Sequence, residues 1–163
     1  MFLASDSNVK ELGVLDVTGD VISEINSVDL PGIYDGLSVN AIGNKLYFGR
    51  QSNPTGPELF VFDITTPNSS LPIIGQGEVA GNVSTIKVSG DYTFISTGKT
   101  GEEFQIWNSD YNTWNSTILN SGRFRFYNFP NLAPLGFDID TDWIYGVSNL
   151  SATDKLQVLY TTP

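Results

Sequence analysis

Residues 37–64 open with Leu37-Ser38-Val39-Asn40-Ala41-Ile42-Gly43-Asn44-Lys45-Leu46-Tyr47-Phe48-Gly49-Arg50, and after a polar loop they close with Glu58-Leu59-Phe60-Val61-Phe62-Asp63-Ile64. β-Branched and aromatic residues crowd both apolar runs, as strands require. Gly43-Asn44 between two such runs predicts a tight hairpin turn, because a two-residue loop needs positive φ and glycine supplies it without steric cost. The stretch therefore reads strand, turn, strand, loop, strand. Leu59-Phe60-Val61-Phe62 is apolar without alternation, which predicts a strand covered on both faces rather than one with a wet side. No window of the chain shows helical periodicity.

The phrase recurs along the chain. Glu11-Leu12-Gly13-Val14-Leu15-Asp16 lies 47 residues before Glu58-Leu59-Phe60-Val61-Phe62-Asp63. Glu103-Phe104-Gln105-Ile106-Trp107-Asn108 follows 45 residues on, and Lys155-Leu156-Gln157-Val158-Leu159-Tyr160 a further 52. A preceding strand repeats too, with Phe2–Ser5, Leu46–Gly49, Tyr92–Ile95 and Trp143–Gly146 aligned. Turns at Gly43-Asn44, Gly90-Asp91 and Thr141-Asp142 precede the last three. Fourth strands are predicted at Val21–Ile25, Leu71–Ile74 and Trp114–Ile118, and Pro72 marks the second of these as an edge. Four antiparallel strands per 45–52 residues is the spacing of a β-propeller blade. The expectation is an all-β propeller or partial propeller of about 3.5–4 four-stranded blades, with units near 1–30, 31–80, 81–132 and 133–163 in one domain. The first unit lacks its leading strand and the last its outer strand, so the chain is expected to be a segment of a longer propeller, or to self-associate through open blade ends.

Composition narrows the function classes. With 8 Lys and Arg against 18 Asp and Glu, the net charge is -10, which repels nucleic-acid phosphates and anionic lipid heads. No run of about 18 apolar residues is present, so membrane insertion is not expected. The chain holds no cysteine and no histidine. Disulfides, thiolate or imidazole metal sites, cysteine nucleophiles and Ser-His-Asp triads are thereby excluded.

From Tyr47-Phe48 through Phe60-Val61-Phe62-Asp63-Ile64-Thr65-Thr66-Pro67, and again over Ile86-Lys87-Val88-Ser89-Gly90-Asp91-Tyr92-Thr93-Phe94-Ile95, the phrase resembles the LVIVD-repeat propellers of bacterial and archaeal surface proteins. Ser109-Asp110-Tyr111-Asn112-Thr113-Trp114 is similar to the turn of a kelch repeat, without the double glycine of that family. The resemblance implies an extracellular, periplasmic or cell-surface location and a binding or scaffolding role, and it brings no catalytic residues.

Candidate ligand-binding residues are few. Tyr34, Asp35 and Arg50 fall on connections expected at one end of the blades, where a carboxylate and a guanidinium bind a sugar or an acid, or else pair at a solvated rim of little energetic weight. Gly122-Arg123-Phe124-Arg125-Phe126-Tyr127 is the densest aromatic and basic stretch, within the expected connection 119–133. Arg123, Arg125 and Tyr127 would there meet a glycan or an anionic peptide. The competing and favoured reading is a strand with Phe124 and Phe126 inward and both arginines outward. Asp138, Asp140 and Asp142 open like a calcium loop, but Trp143 replaces the required glycine and no closing glutamate follows, so turn and strand roles are favoured. No cofactor is expected. The function expected is a non-catalytic module binding protein or glycan at a surface. The alternative is a carbohydrate-binding or glycoside-cleaving module that uses paired carboxylates.

Overall fold

The computed structural model describes residues 1–114, 117–119, 121–127, 134–140, 143–148 and 156–160. These build an all-β chain of four antiparallel sheets, each an uninterrupted meander. Sheet one holds β1 (Phe2–Ala4), β2 (Leu12–Asp16) and β3 (Ser23–Val28). Sheet two holds β4 (Gly36–Ile42), β5 (Lys45–Arg50), β6 (Leu59–Asp63) and β7 (Ile73–Gly77). Sheet three holds β8 (Val83–Ser89), β9 (Tyr92–Thr97), β10 (Phe104–Asn108) and β11 (Arg123–Tyr127), and sheet four holds β12 (Pro134–Asp140), β13 (Trp143–Ser148) and β14 (Leu156–Tyr160). The sole helical element among the described residues is a 3-10 turn at Tyr111–Thr113.

The predicted hairpins form. Gly43 and Gly90 take φ of 58° and 56°, whereas Asn44 and Asp91 keep negative φ, so each turn has its positive φ at the first central position alone. That is the type II′ arrangement, whose twist matches the flanking strands. The turn at Thr141-Asp142 lies outside the described residues.

Sheets one to four pack in sequence order through three apolar cores. Leu12 of β2 meets Leu46, Phe48, Phe60 and Phe62 of sheet two. Tyr47, Leu59 and Val61 leave the other face of sheet two to meet Val83, Ile86, Ile95 and Trp107 of sheet three. Phe94, Phe104 and Ile106 then meet Phe137 and Ile144 of sheet four. The run Leu59–Phe62 is thus split, odd positions into one core and even positions into the other, and all four side chains are buried. Its lack of alternation follows from apolar cover on both faces.

Strand irregularities recur at matched places. The pairings of β2 with β3, β6 with β7 and β10 with β11 shift between Val14 and Leu15, Val61 and Phe62, and Ile106 and Trp107. Those of β4 with β5, β8 with β9 and β12 with β13 shift between Gly36 and Ser38, Val83 and Thr85, and Pro134 and Gly136. Each bulge adds a residue and sharpens the local twist.

Three sequence expectations need correction. The fourth strand of sheet three is Arg123–Tyr127, the strand favoured within 119–133, and not Trp114–Ile118. β3 begins at Ser23 and β7 at Ile73, each two residues later than expected. The alignment of second strands was slipped. Leu46 pairs with Phe62, Thr93 with Trp107 and Ile144 with Leu159, so Thr93 and Ile144, not Tyr92 and Trp143, correspond to Leu46, and Phe2, paired with Val14, corresponds to Tyr47. A slip of one residue moves every side chain to the opposite face, and it hides easily where both faces are apolar.

Candidate functional site

The connections at one end of sheets one to three converge on a buried group of charges. Glu58, fully buried, begins the run into β6. Its Oε1 accepts from Asn53 N at 2.9 Å, and its Oε2 accepts from Val79 N at 2.9 Å and Ala80 N at 3.1 Å. One carboxylate therefore ties the loop before its own strand to the connection between sheets two and three. The same device sits 47 residues earlier, where Oε2 of buried Glu11 accepts from Leu30 N at 2.9 Å. Oε1 of Glu103 likewise accepts from Gly101 N at 2.8 Å. Ionised acceptors make the stronger hydrogen bonds, so each pins a loop. The signal was present in the sequence as a Glu opening three successive copies of the phrase.

Arg50 was expected at a ligand face or a solvated rim, and the structure corrects this: it is 2% exposed. Its Nε donates to Pro57 O at 2.9 Å and Nη1 to Pro31 O at 3.0 Å. The guanidinium stands 5.5 Å from the Tyr34 ring centre and 5.0 Å from that of Phe60. Burial lowers its pKa, opposed by the charges of Glu58 and Glu11. The structure does bring Tyr34 to Arg50. Asp35 goes elsewhere, its Oδ2 accepting from Gln51 Nε2 at 2.7 Å. Beside them, burial raises the pKa of Glu78 to about 7, helped by the Glu58 charge and a hydrogen bond between the two carboxyls. The arrangement closes a loop junction and leaves little of Arg50 to meet a ligand.

On β11 the expected alternation is reversed where it is described. Arg123 is largely covered, its Nη1 bonded to Glu102 and its guanidinium 4.4 Å from the Phe126 ring centre. Phe126 is 46% exposed. Glu102 also holds Lys99 at 2.7 Å. Burial pushes the Glu102 carboxyl upward, but the bonds and charges of Lys99 and Arg123 win and lower its pKa. Arg125 and Tyr127 sit opposite Ile106 and Phe104, and their side chains lie outside the described residues. Asp138 and Asp140 are strand residues of β12, paired with Tyr145 and Trp143. Asp138 Oδ1 lies 3.1 Å from Lys87 Nζ, and Asp142 lies outside the described residues. Among the described residues no group of three carboxylates is placed to hold a metal.

The feature that the sequence reading missed is a groove of about 400 Å³ between β7 and the 3-10 turn. Ile73, Ile74, Gly75 and Gln76 form one wall, and Tyr111, Asn112 and Trp114 the other. Asp110 caps the turn through Asn112 N at 3.2 Å and Asn112 Nδ2 at 2.7 Å. Trp114 is anchored by Nε1 donating to Asn108 O at 2.9 Å. Tyr111 lies against Gly75, where an added Cβ would come within 2.6 Å of Tyr111 Cβ. Lys45 Nζ stands 4.9 Å from the centre of the Tyr111 ring. β7 is the edge of its sheet, so among the described residues the backbone groups facing away from β6 have no strand partner along Ile73–Gly77, and the first bridge on that side is the parallel one between Glu78 and Leu119. In the sequence Tyr111-Asn112 reads as a turn and Trp114 as the start of a strand. Their shared signal is a capping Asp followed by aromatics three residues apart.

These features define an all-β chain of four stacked meander sheets with an open edge beside an aromatic groove. No family model and no curated protein matches the chain. Among solved structures it is similar to the computationally designed Ika4 protein, at 11% identity over 99% of this chain and 86% of that one, with a TM-score of 0.63. It is also similar to the computationally designed Ika8 protein, at 11% identity over 98% of this chain and 42% of that one, with a TM-score of 0.57. At such identity the likeness is one of fold.

Proposed function

We propose that the four sheets are blades of a propeller-type repeat and that the module works by binding an extended segment of a partner protein along β7. The observation that carries the binding role is the groove beside an unpaired edge strand. An extended peptide adds a strand to such an edge, taking affinity from main-chain hydrogen bonds and selectivity from pockets for alternate side chains. Tyr111 and Ile73, the latter 39% exposed, supply the apolar contact. The net charge of -10 favours a neutral or basic segment through long-range attraction. The recurring bulges and the three Glu-pinned loops support the repeat reading. Resemblance to LVIVD-repeat propellers adds a cell-surface or secreted setting to the proposal.

The aromatic and amide lining of the same groove, with Gln76 and Asn112 beside Tyr111, favours a glycan as the second reading. A displayed library of extended peptides, run beside a glycan array against the whole chain and its Tyr111→Ala variant, separates the two. Peptide capture that Tyr111→Ala abolishes supports the proposal. Glycan capture alone supports the second reading, and capture of neither overturns the binding role of this groove.

A further inference from the structure

The three internal junctions are built from corresponding side chains. Facing the next sheet are Tyr47 from β5 and Phe94 from β9, together with Leu59 and Phe104 from the strands beside them. Facing back are Phe48 from β5 and Ile95 from β9. Hairpin registers place Phe2 and Tyr145 where Tyr47 stands, since they pair with Val14, Val158 and Val61 respectively. Leu3 stands where Phe48 stands, paired with Gly13 as Phe48 is with Phe60. Phe2 packs into the first junction. Among the described residues two faces meet no partner sheet. On the back of sheet one Leu3 is 46% exposed, and on the front of sheet four Tyr145 is 37% exposed. No apolar cluster among the described residues joins sheet four to sheet one.

The leftover faces are thus the two halves of a junction that the chain already makes three times. We propose that a second copy of this chain occupies them head to tail, with the front of sheet four in one copy packed on the back of sheet one in the next. The occupant follows from continuity with the internal junctions: a surface matched to a corresponding sheet is found on every copy. A similar arrangement accounts for 42% of the longer Ika8 chain, so it is not restricted to a free-standing unit of four sheets. The contact is heterologous, because different patches meet on the two copies.

Heterologous contact makes a distinctive prediction. Sedimentation of the whole chain over a wide concentration range should show mass rising with concentration, more readily at high salt, which screens the repulsion between copies of net charge -10. Leu3→Asp and Tyr145→Asp each put a charge into one half of the junction, and each alone should weaken association by at least about tenfold. Mixed together, the two variants should form a heterodimer and nothing larger, because each retains the half that the other has lost. A chain that stays monomeric throughout overturns the proposal, as do variants that associate like the parent or a mixture that stays monomeric. Cooperative unfolding is checked for both variants, with Leu3→Ser and Tyr145→Ser as milder replacements. Peptide binding at the groove is measured on the same samples. Its loss or persistence tests the proposed function separately, because neither substitution touches β7 or the 3-10 turn.

Discussion

Replacing Glu58 by Ala is expected to be among the most damaging single changes in the chain. The carboxylate accepts three backbone N–H groups, from Asn53, Val79 and Ala80. Ala80 is exposed, so water can replace its partner, whereas Asn53 and Val79 are buried and their N–H groups would be orphaned. Each buried orphan costs about 2 kcal/mol, giving about 4 kcal/mol in total. Loss of a countercharge near buried Arg50 adds in the same direction. With a urea slope of about 2 kcal/mol per molar, the unfolding midpoint should fall by about 2 M. Glu11→Ala removes a single acceptor, that for Leu30 N, and should cost about half as much. Equilibrium urea unfolding followed by tryptophan fluorescence reads both. A fall of less than about 0.3 M for Glu58→Ala, or a Glu11→Ala variant the weaker of the two, would refute the view that these carboxylates pin the loops.

Other expectations follow from single residues. Gly43→Ala meets no neighbour within 4 Å but must hold φ near 58°, so thermal unfolding should report a loss of about 1 kcal/mol from backbone strain alone. Gly75→Val drives a branched side chain into Tyr111 and should abolish peptide capture by the groove, as a binding titration would read. The pKa of Glu78 is raised from 4.5 to about 7, so between those values the folded state holds a proton that the unfolded chain has released. Its contribution to stability is therefore complete below pH 4.5 and declines as pH rises to about 7. Asp16, Asp63, Asp138 and Glu102 have lowered pKa values, and their contribution is lost instead as pH falls through the acid range. Glu78→Gln should remove the decline in stability between pH 4.5 and 7 and leave the acid limb in place, as read by urea midpoints across pH.

The parts of the fold legible in the sequence were those where local chemistry and tertiary environment agree. Gly43-Asn44 and Gly90-Asp91 announce their turns because only such residues fit the backbone there. The unbroken run Leu59–Phe62 announces a doubly covered strand. The same lack of polar alternation concealed the register of Leu46, Thr93 and Ile144, since aromatic and aliphatic residues stand on both faces of these strands whether or not both are covered. Trp114 and Ile118 suit strands by propensity, yet the capping bonds of Asp110 and the indole bond to Asn108 O hold Trp114 at the end of a turn. The candidate site was least legible. Charged residues are mostly found at surfaces, and Arg50 goes inside because its partners are the carbonyls of Pro57 and Pro31, 7 and 19 residues away. No local pattern encodes those contacts. The groove beside β7 needs Gly75 and Tyr111, 36 residues apart in the chain, to meet across two sheets.

Amide hydrogen exchange, read strand by strand with and without a peptide selected on the groove, tests the stacked sheets and their open edge together. The account predicts that β6, covered on both faces, exchanges among the slowest in the chain. Amides of β7 facing away from β6 should exchange rapidly and become protected when the peptide binds. Amides of β6 exchanging as fast as those of β7, or outward amides of β7 already protected without the peptide, would contradict it.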